Sequence, residues 1–157
     1  DKESERDLAN SIEDTIKSLL QNSCFNIDVV EVDIIDGIVH IFIDGDDAAL
    51  LIGKEGYRYN ALSYLLYSWI YSTYQRYIKL EIAQFLSSQE EAVKRALEPL
   101  IERIKEEGRG KTHPMEGVLI QIALEYLRKT FPNKYVAIKH NQEGEKYILI
   151  NDFNKRQ

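Results

Sequence analysis

Leu50-Leu51-Ile52-Gly53-Lys54-Glu55-Gly56-Tyr57 is the stretch on which the reading of this chain turns. Two glycines three residues apart let a backbone bend sharply and approach a ligand with no Cβ in the way. An aliphatic run leads in, and a tyrosine-rich run leads out in which Ala61, Leu62, Leu65, Leu66, Trp69 and Ile70 recur at helical spacing. A helix opening just after the second glycine presents unpaired amides, and such a terminus favours an anion. The stretch therefore reads as helix, Gly-x-x-Gly turn, helix, with Lys54 and Glu55 at the tip.

Upstream, Leu8, Ile12, Ile16, Leu19 and Leu20 predict an amphipathic helix over residues 4–20, with acids in its first turn and Ser4 as cap. From Phe25 the pattern becomes alternation, so a strand is expected. Asp36-Gly37 is a tight-turn pair, and Ile38 to Ile43 forms the second arm of a hairpin. Asp44-Gly45-Asp46 ends that arm, and one of the aspartates caps a short helix from Asp47 to Ile52. Beyond the tyrosine-rich helix, Arg76 to Phe85 alternates and reads as another strand.

The second half opens with apolar residues at helical spacing over residues 87–107, where Ser87 and Glu90 fit a capping box and Pro99 predicts a kink or a break. Gly108 to Pro114 is a basic loop or short edge strand. Met115 to Phe131 is helical, ended by Pro132-Asn133. Tyr135–Lys139 and Tyr147–Ile150 read as a hairpin, and the polar last residues as a frayed end.

A chain of 157 residues that is 44% hydrophobic can bury the core of one domain or two small ones. The formal charge of −6 is unevenly spread: residues 1–85 hold 7 Lys+Arg against 15 Asp+Glu, and residues 86–157 hold 13 against 11. The glycine turn thus lies in the acidic half, the reverse of the usual nucleic-acid footprint. No apolar run approaches a membrane span, so no membrane contact is expected. The single cysteine, Cys24, excludes an internal disulfide and reads as a small buried or half-buried residue of a cytoplasmic protein. The chain does not begin with Met, which suits a fragment. Gly45 to Lys54 has the wrong glycine spacing for a P-loop, and Glu55 stands where that motif carries Ser or Thr. His40 and His140 have no Cys or second His nearby, and no nucleophile-base pattern occurs. Neither enzymatic activity nor a cofactor nor a metal is expected.

The order helix, strand, strand, short helix, Gly-x-x-Gly, long helix, strand resembles a type II KH domain, whose loop clamps the backbone of about four single-stranded nucleotides. The following long helix, basic segment with Pro114-Met115, helix and terminal hairpin make the whole chain similar to the Jag family (EloR, KhpB, SpoIIIJ-associated). That family joins a KH domain to an R-x-x-x-H domain, and its N-terminal Jag domain would be missing here. The resemblance implies an α+β chain of two small domains. Residues 1–85 would be the KH domain, a three-stranded sheet with helices on one face. Residues 86–157 would be an R-x-x-x-H-like α/β domain. Its signature arginine and histidine fall on Ile120 and Leu124, with Gln121 where a second arginine is common, so that motif is replaced by an aliphatic face.

Two functions follow as expectations. The first is a non-catalytic regulator that binds single-stranded RNA through Ile52, Gly53, Lys54, Glu55, Gly56 and Arg58, with Arg76 and Lys79 sharing the backbone and Arg109, Lys111 and His113 assisting. Lys54 supplies a point charge, and Glu55 with Asp44, Asp46 and Asp47 opposes it. The second is a protein-interaction regulator or inhibitor of a larger bacterial assembly that reuses both folds to hold a protein partner. Tyr64, Tyr67, Tyr71 and Tyr74 on the tyrosine-rich helix are its candidate interface.

Overall fold

The computed structural model describes residues 1–153, in two compact units divided between Ser87 and Ser88. The frayed end expected beyond Phe153 lies outside the described residues.

In the first unit, α1 (Lys2–Gln21) buries Ile12, Ile16 and Leu20 of the stripe its periodicity predicts, together with Ala9, and is capped by Asp1 instead of Ser4. Leu8 is half-buried and Leu19 is left 58% exposed. Strands β1 (Val29–Ile35) and β2 (Ile38–Asp44) are antiparallel. Their connection is the two residues Asp36 and Gly37, at φ 51° and 78°, as a twist-matched hairpin turn requires. β1 starts four residues later than Phe25. The backbone before it is instead tied to the end of β2: Asn26 N–H donates to Asp47 Oδ2 at 2.6 Å, and Asp47 N–H to Asn26 O at 3.1 Å.

β3 (Ile78–Ile82) runs parallel to β2, giving the order β1-β2-β3. A parallel pair needs a long crossover, supplied here by α2 (Ala48–Ile52), a single 3₁₀ turn at Lys54–Gly56, and α3 (Tyr57–Tyr74). One face of the sheet carries buried Val30, Val39, Ile41, Ile43, Leu80 and Ile82. Glu31, Asp33, His40, Phe42, Lys79 and Glu81 alternate onto the other face. The open edge of β1 is met by Glu13 of α1, whose Oε1 accepts from Val32 N–H at 3.0 Å. That bond satisfies an edge amide that would otherwise be a template for pairing.

The face on which α3 packs differs from expectation. Tyr59, Leu66 and Ile70 are its buried residues, whereas Leu65 is 64% exposed. Burying Tyr59 strands no polar atom, because its hydroxyl donates to Leu80 O at 2.6 Å.

The second unit contains most of α4 (Phe85–Glu107), then β4 (Gly110–Lys111), α5 (Gly117–Thr130), β5 (Tyr135–His140) and β6 (Lys146–Asn151). β6 is central, antiparallel to both β4 and β5. α4 starts at Phe85, before the Ser87 capping box. Its first amides are capped by the Glu81 carboxylate, which accepts from Leu86 N–H at 2.8 Å and from Ser87 N–H at 3.0 Å. The helix also continues unbroken through Pro99, which is exposed, as is Arg95 four residues back. Ile104, Ile120, Ala123, Leu127, Ile148 and Ile150 form the centre of this core. Thr112 is buried among them with both polar functions used: its Oγ1 accepts from Ile148 N–H at 3.0 Å and donates to His113 O at 2.9 Å. Cys24 is exposed, not buried, in the irregular segment after α1.

Candidate nucleic-acid interface

The Gly53–Gly56 turn is built almost wholly from left-handed backbone. Gly53 has φ 75° and ψ 175°, a region open in practice to glycine alone, and Glu55 and Gly56 follow at φ 55° and 74°. Each glycine also has a steric reason. A Cβ on Gly53 would sit 2.9 Å from Arg58 Cγ, and one on Gly56 would sit 2.7 Å from Phe85 Cζ. Phe85 in turn packs against Tyr59, ring centroids 4.8 Å apart. The turn therefore rests on an aromatic floor formed by the first residue of α4 and the first turn of α3.

Within the turn, Gly53 N–H donates to Ala49 O at 3.0 Å and Gly56 N–H to Gly53 O at 3.2 Å. Lys54 and Glu55 are its exposed residues, while Ile52 and Gly53 are half-buried. α3 then begins with no acidic residue in its first turn, so nothing in the helix itself offsets the positive end of its dipole. The chemistry available is a helix amino terminus and one ammonium, opposed by one carboxylate.

Arg58 is at this turn, but in a structural part. Its guanidinium donates to Leu50 O at 2.8 Å, closing the carboxyl end of α2, and lies 5.9 Å from the centre of the Phe25 ring. Neither Asp44 nor Asp46 caps α2: Asp44 Oδ1 accepts from Gly45 N–H at 2.8 Å, and the residue at the cap position, Asp47, makes no side-chain cap bond. Asp46 and Asp47 hold Asn26 instead, beside the start of the short helix.

Two expected members of the cluster are elsewhere. Arg76 follows α3, whose 18 residues span about 27 Å. There it donates to Gly37 O at 3.2 Å and pairs with Glu5 at 3.6 Å, bracing the hairpin turn. Lys79 points to the sheet face opposite the helices, across from His40 on β2. Sequence alternation placed it on the polar side of its strand, but the position of the glycine turn relative to that side is a tertiary fact.

Of the tyrosines, Tyr64 is 70% exposed and Tyr71 36%, and Tyr67 and Tyr71 cluster with Tyr77 at centroid separations of 5.4 to 6.0 Å. Withdrawal from water, then the neighbouring Tyr77 and Tyr71, raises the Tyr67 hydroxyl above the ordinary tyrosine pKa. Tyr74 turns away to pack edge-on against Trp69. Tyr57 and Leu65, not singled out beforehand as surface residues, add 61% and 64% exposure on the solvent side of α3.

In the second unit, Arg109, Lys111 and His113 are all exposed, with Lys111 on β4. Ile120, where the resemblance would put the signature arginine, is 2% exposed and belongs to the core, and Leu124 is half-buried. No group of three metal-ligating side chains occurs among the described residues, and no helix among them is long and apolar enough to cross a membrane.

Residues 85–151 match a sequence model of the family described as HP1451 C-terminal domain. That span coincides with α4 to β6 and leaves the glycine turn outside it. No curated protein matches the chain.

Proposed function

We propose that this chain is a non-catalytic, cytoplasmic regulator of the Jag type that binds single-stranded RNA through a type II KH domain at residues 1–85, followed by an R-x-x-x-H-like domain without its signature pair. The observation that carries the reading is the left-handed Gly53–Gly56 turn, with Lys54 at its exposed tip, set between two helices in the crossover joining parallel β2 and β3. A phosphate backbone would lie against the turn and the start of α3, met by Lys54, with Ile52 and the stem of Arg58 as its apolar flank. Glu55 lies beside it, and like charges a few Å apart cost on the order of 1 kcal/mol in water-like surroundings. The grip is accordingly modest.

The test is a titration of a labelled single-stranded RNA pool at low and high salt against the parent chain and a Lys54→Asp, Glu55→Asp double variant. Affinity that falls with salt and is lost in the variant supports the reading. Binding indifferent to both changes sinks it.

A second reading has its own observation: α3 carries one charged residue, Arg58, in 18 residues, and leaves Tyr57, Tyr64 and Leu65 more than half exposed. A helix face of that kind suits a protein partner, and the chain would then restrain a larger assembly. A photo-crosslinking residue at position 64, used in nuclease-treated lysate, distinguishes the two. A discrete protein adduct that Leu65→Asp abolishes favours the partner; labelling that disappears with the nuclease step speaks for RNA.

A further inference from the structure

The face of the second unit's sheet turned away from its core holds half-buried Tyr135, Ala137, Lys139, Tyr147 and Leu149, which neither reading uses, beside exposed Lys111, which the RNA reading counted only as an assisting cation. Ile148 and Ile150 on β6 and Val136 on β5 point into the core, toward the side where Gly110 abuts Leu100 and Ile104 of α4. The opposite parity carries Tyr135, Ala137 and Lys139 on β5, Tyr147 and Leu149 on β6, and Lys111 on β4. The register sets Ala137 across from Leu149, Lys139 across from Tyr147, and Lys111 across from Leu149 on the other side. An apolar floor of Ala137 and Leu149 is thus bordered by two tyrosines, four strand residues or about 13 Å apart along the sheet.

Each ring has its own cation. Lys111 Nζ lies 5.9 Å from the Tyr147 centroid, and Lys139 Nζ lies 5.3 Å from that of Tyr135. Lys139 is also hydrogen-bonded by the Tyr135 side chain, which holds its ammonium above the usual lysine pKa. Phe153 stands edge-on to Tyr135 at 6.1 Å, extending the aromatic surface. The chain has 26 Asp+Glu against 20 Lys+Arg, yet these three strands place no carboxylate on this face.

We propose that this sheet face is a stacking platform for single-stranded nucleic acid, in which bases lie on Tyr147 and Tyr135 over the Ala137-Leu149 floor while Lys111 and Lys139 meet the flanking phosphates. Ring faces paired with cations on an apolar, carboxylate-free floor fit a ligand that is both planar and anionic. An acidic peptide would use the lysines but leave the rings without a planar partner. The inference does not rest on the glycine turn, which lies in the other unit.

The experiment is fluorescence anisotropy of a short labelled oligouridine with the full chain carrying Lys54→Asp, so that binding at the turn is already impaired. Removing one stacked base contact by Tyr147→Ala is expected to weaken binding about tenfold, and Tyr147→Phe, which keeps the ring, to leave it within about twofold. Lys111→Glu with Lys139→Glu should weaken it further and flatten the salt dependence. Equal losses for Tyr147→Ala and Tyr147→Phe would mean a structural role and overturn the proposal. So would displacement by poly-glutamate as effective as by RNA, the sign of an acidic protein ligand, or duplex RNA competing as well as single strands. If Lys54→Asp alone abolishes binding, the turn is the site and the platform is refuted. If Lys54→Asp is silent and Tyr147→Ala is not, the platform stands and the reading of the turn falls.

Discussion

Replacing Gly56 by alanine tests the physical account of the turn most directly. At φ 74° a residue with a Cβ costs about 1–2 kcal/mol. The new methyl would stand 2.7 Å from Phe85 Cζ, closer than real contacts allow. Overpacking of this sort costs about 1–3 kcal/mol. Gly56→Ala is therefore expected to destabilise the first unit by roughly 3 kcal/mol. Phe85→Leu alone removes the 4.8 Å ring contact with Tyr59 and should cost about 1 kcal/mol. Leucine withdraws the ring edge, so the double variant keeps only the backbone strain and its own lost stacking. It should be more stable than Gly56→Ala by on the order of 1 kcal/mol. Gly53→Ala is the control, since its Cβ would meet Arg58, and Phe85→Leu should not relieve it. Urea unfolding followed by fluorescence of Trp69, the chain's one tryptophan, reports on this unit. Additive losses in the Gly56→Ala, Phe85→Leu pair, or equal rescue of Gly53→Ala, would refute the claim that Gly56 is there to admit the Phe85 ring.

Glu55→Asn keeps a residue that tolerates φ 55° while removing the charge beside Lys54, and should tighten RNA binding about fivefold at low salt with stability unchanged; weaker binding would argue against a phosphate at the turn. Thr112→Val leaves the Ile148 amide unpaired inside the second unit, and hydrogen exchange at that amide should speed up as the unit loses about 1–3 kcal/mol. Glu13 is held below its ordinary carboxylate pKa of 4.5, first by its hydrogen bond from Lys17, with burial opposing and Val32 N–H adding to the effect. A depressed folded-state value contributes stability that is fully present above the unfolded value and lost as pH falls through the folded one. Glu13→Gln should therefore flatten that acid limb of the Trp69-monitored stability curve, and an unchanged limb would show that the contact contributes nothing.

Much of the local structure could be read from residue order because it depends on near neighbours. Asp36-Gly37 specifies the hairpin turn, since both positions need positive φ, and the Gly53 and Gly56 backbone had to be left-handed for the same reason of missing or tolerated Cβ contact. The stripe of α1 followed from its spacing, because its other faces are charged. α3 offered no such contrast. With one charge in 18 residues, its sequence was compatible with burying Leu65 or Tyr59, and in the fold it is Tyr59 that is buried, its hydroxyl met by the Leu80 carbonyl.

The candidate sites divide along the same line. That residues 53–56 form a tight turn hinged on two glycines was written in the chain, as was the juxtaposition of Lys54 and Glu55 at its tip. Which cations surround it was not: Arg76 is a helix length away, Lys79 faces the other side of the sheet, and Arg58 is occupied by Leu50 O. The start of α4 depended on Glu81, a strand residue whose carboxylate reaches the helix amides only once the chain has turned at Ala83, at φ 52°. The tyrosine and lysine face of the second sheet had a partial signal in the parity of Tyr135, Ala137 and Lys139. Its completion by Lys111 required β4 to pair with β6 across 38 to 40 residues, information carried by the register alone. Sequence by itself determined the elements, their turns and the charges at the glycine loop, because these are set within a few residues. Tertiary structure alone decided which faces meet water and which cations share a surface, because those depend on pairing between segments far apart in the chain.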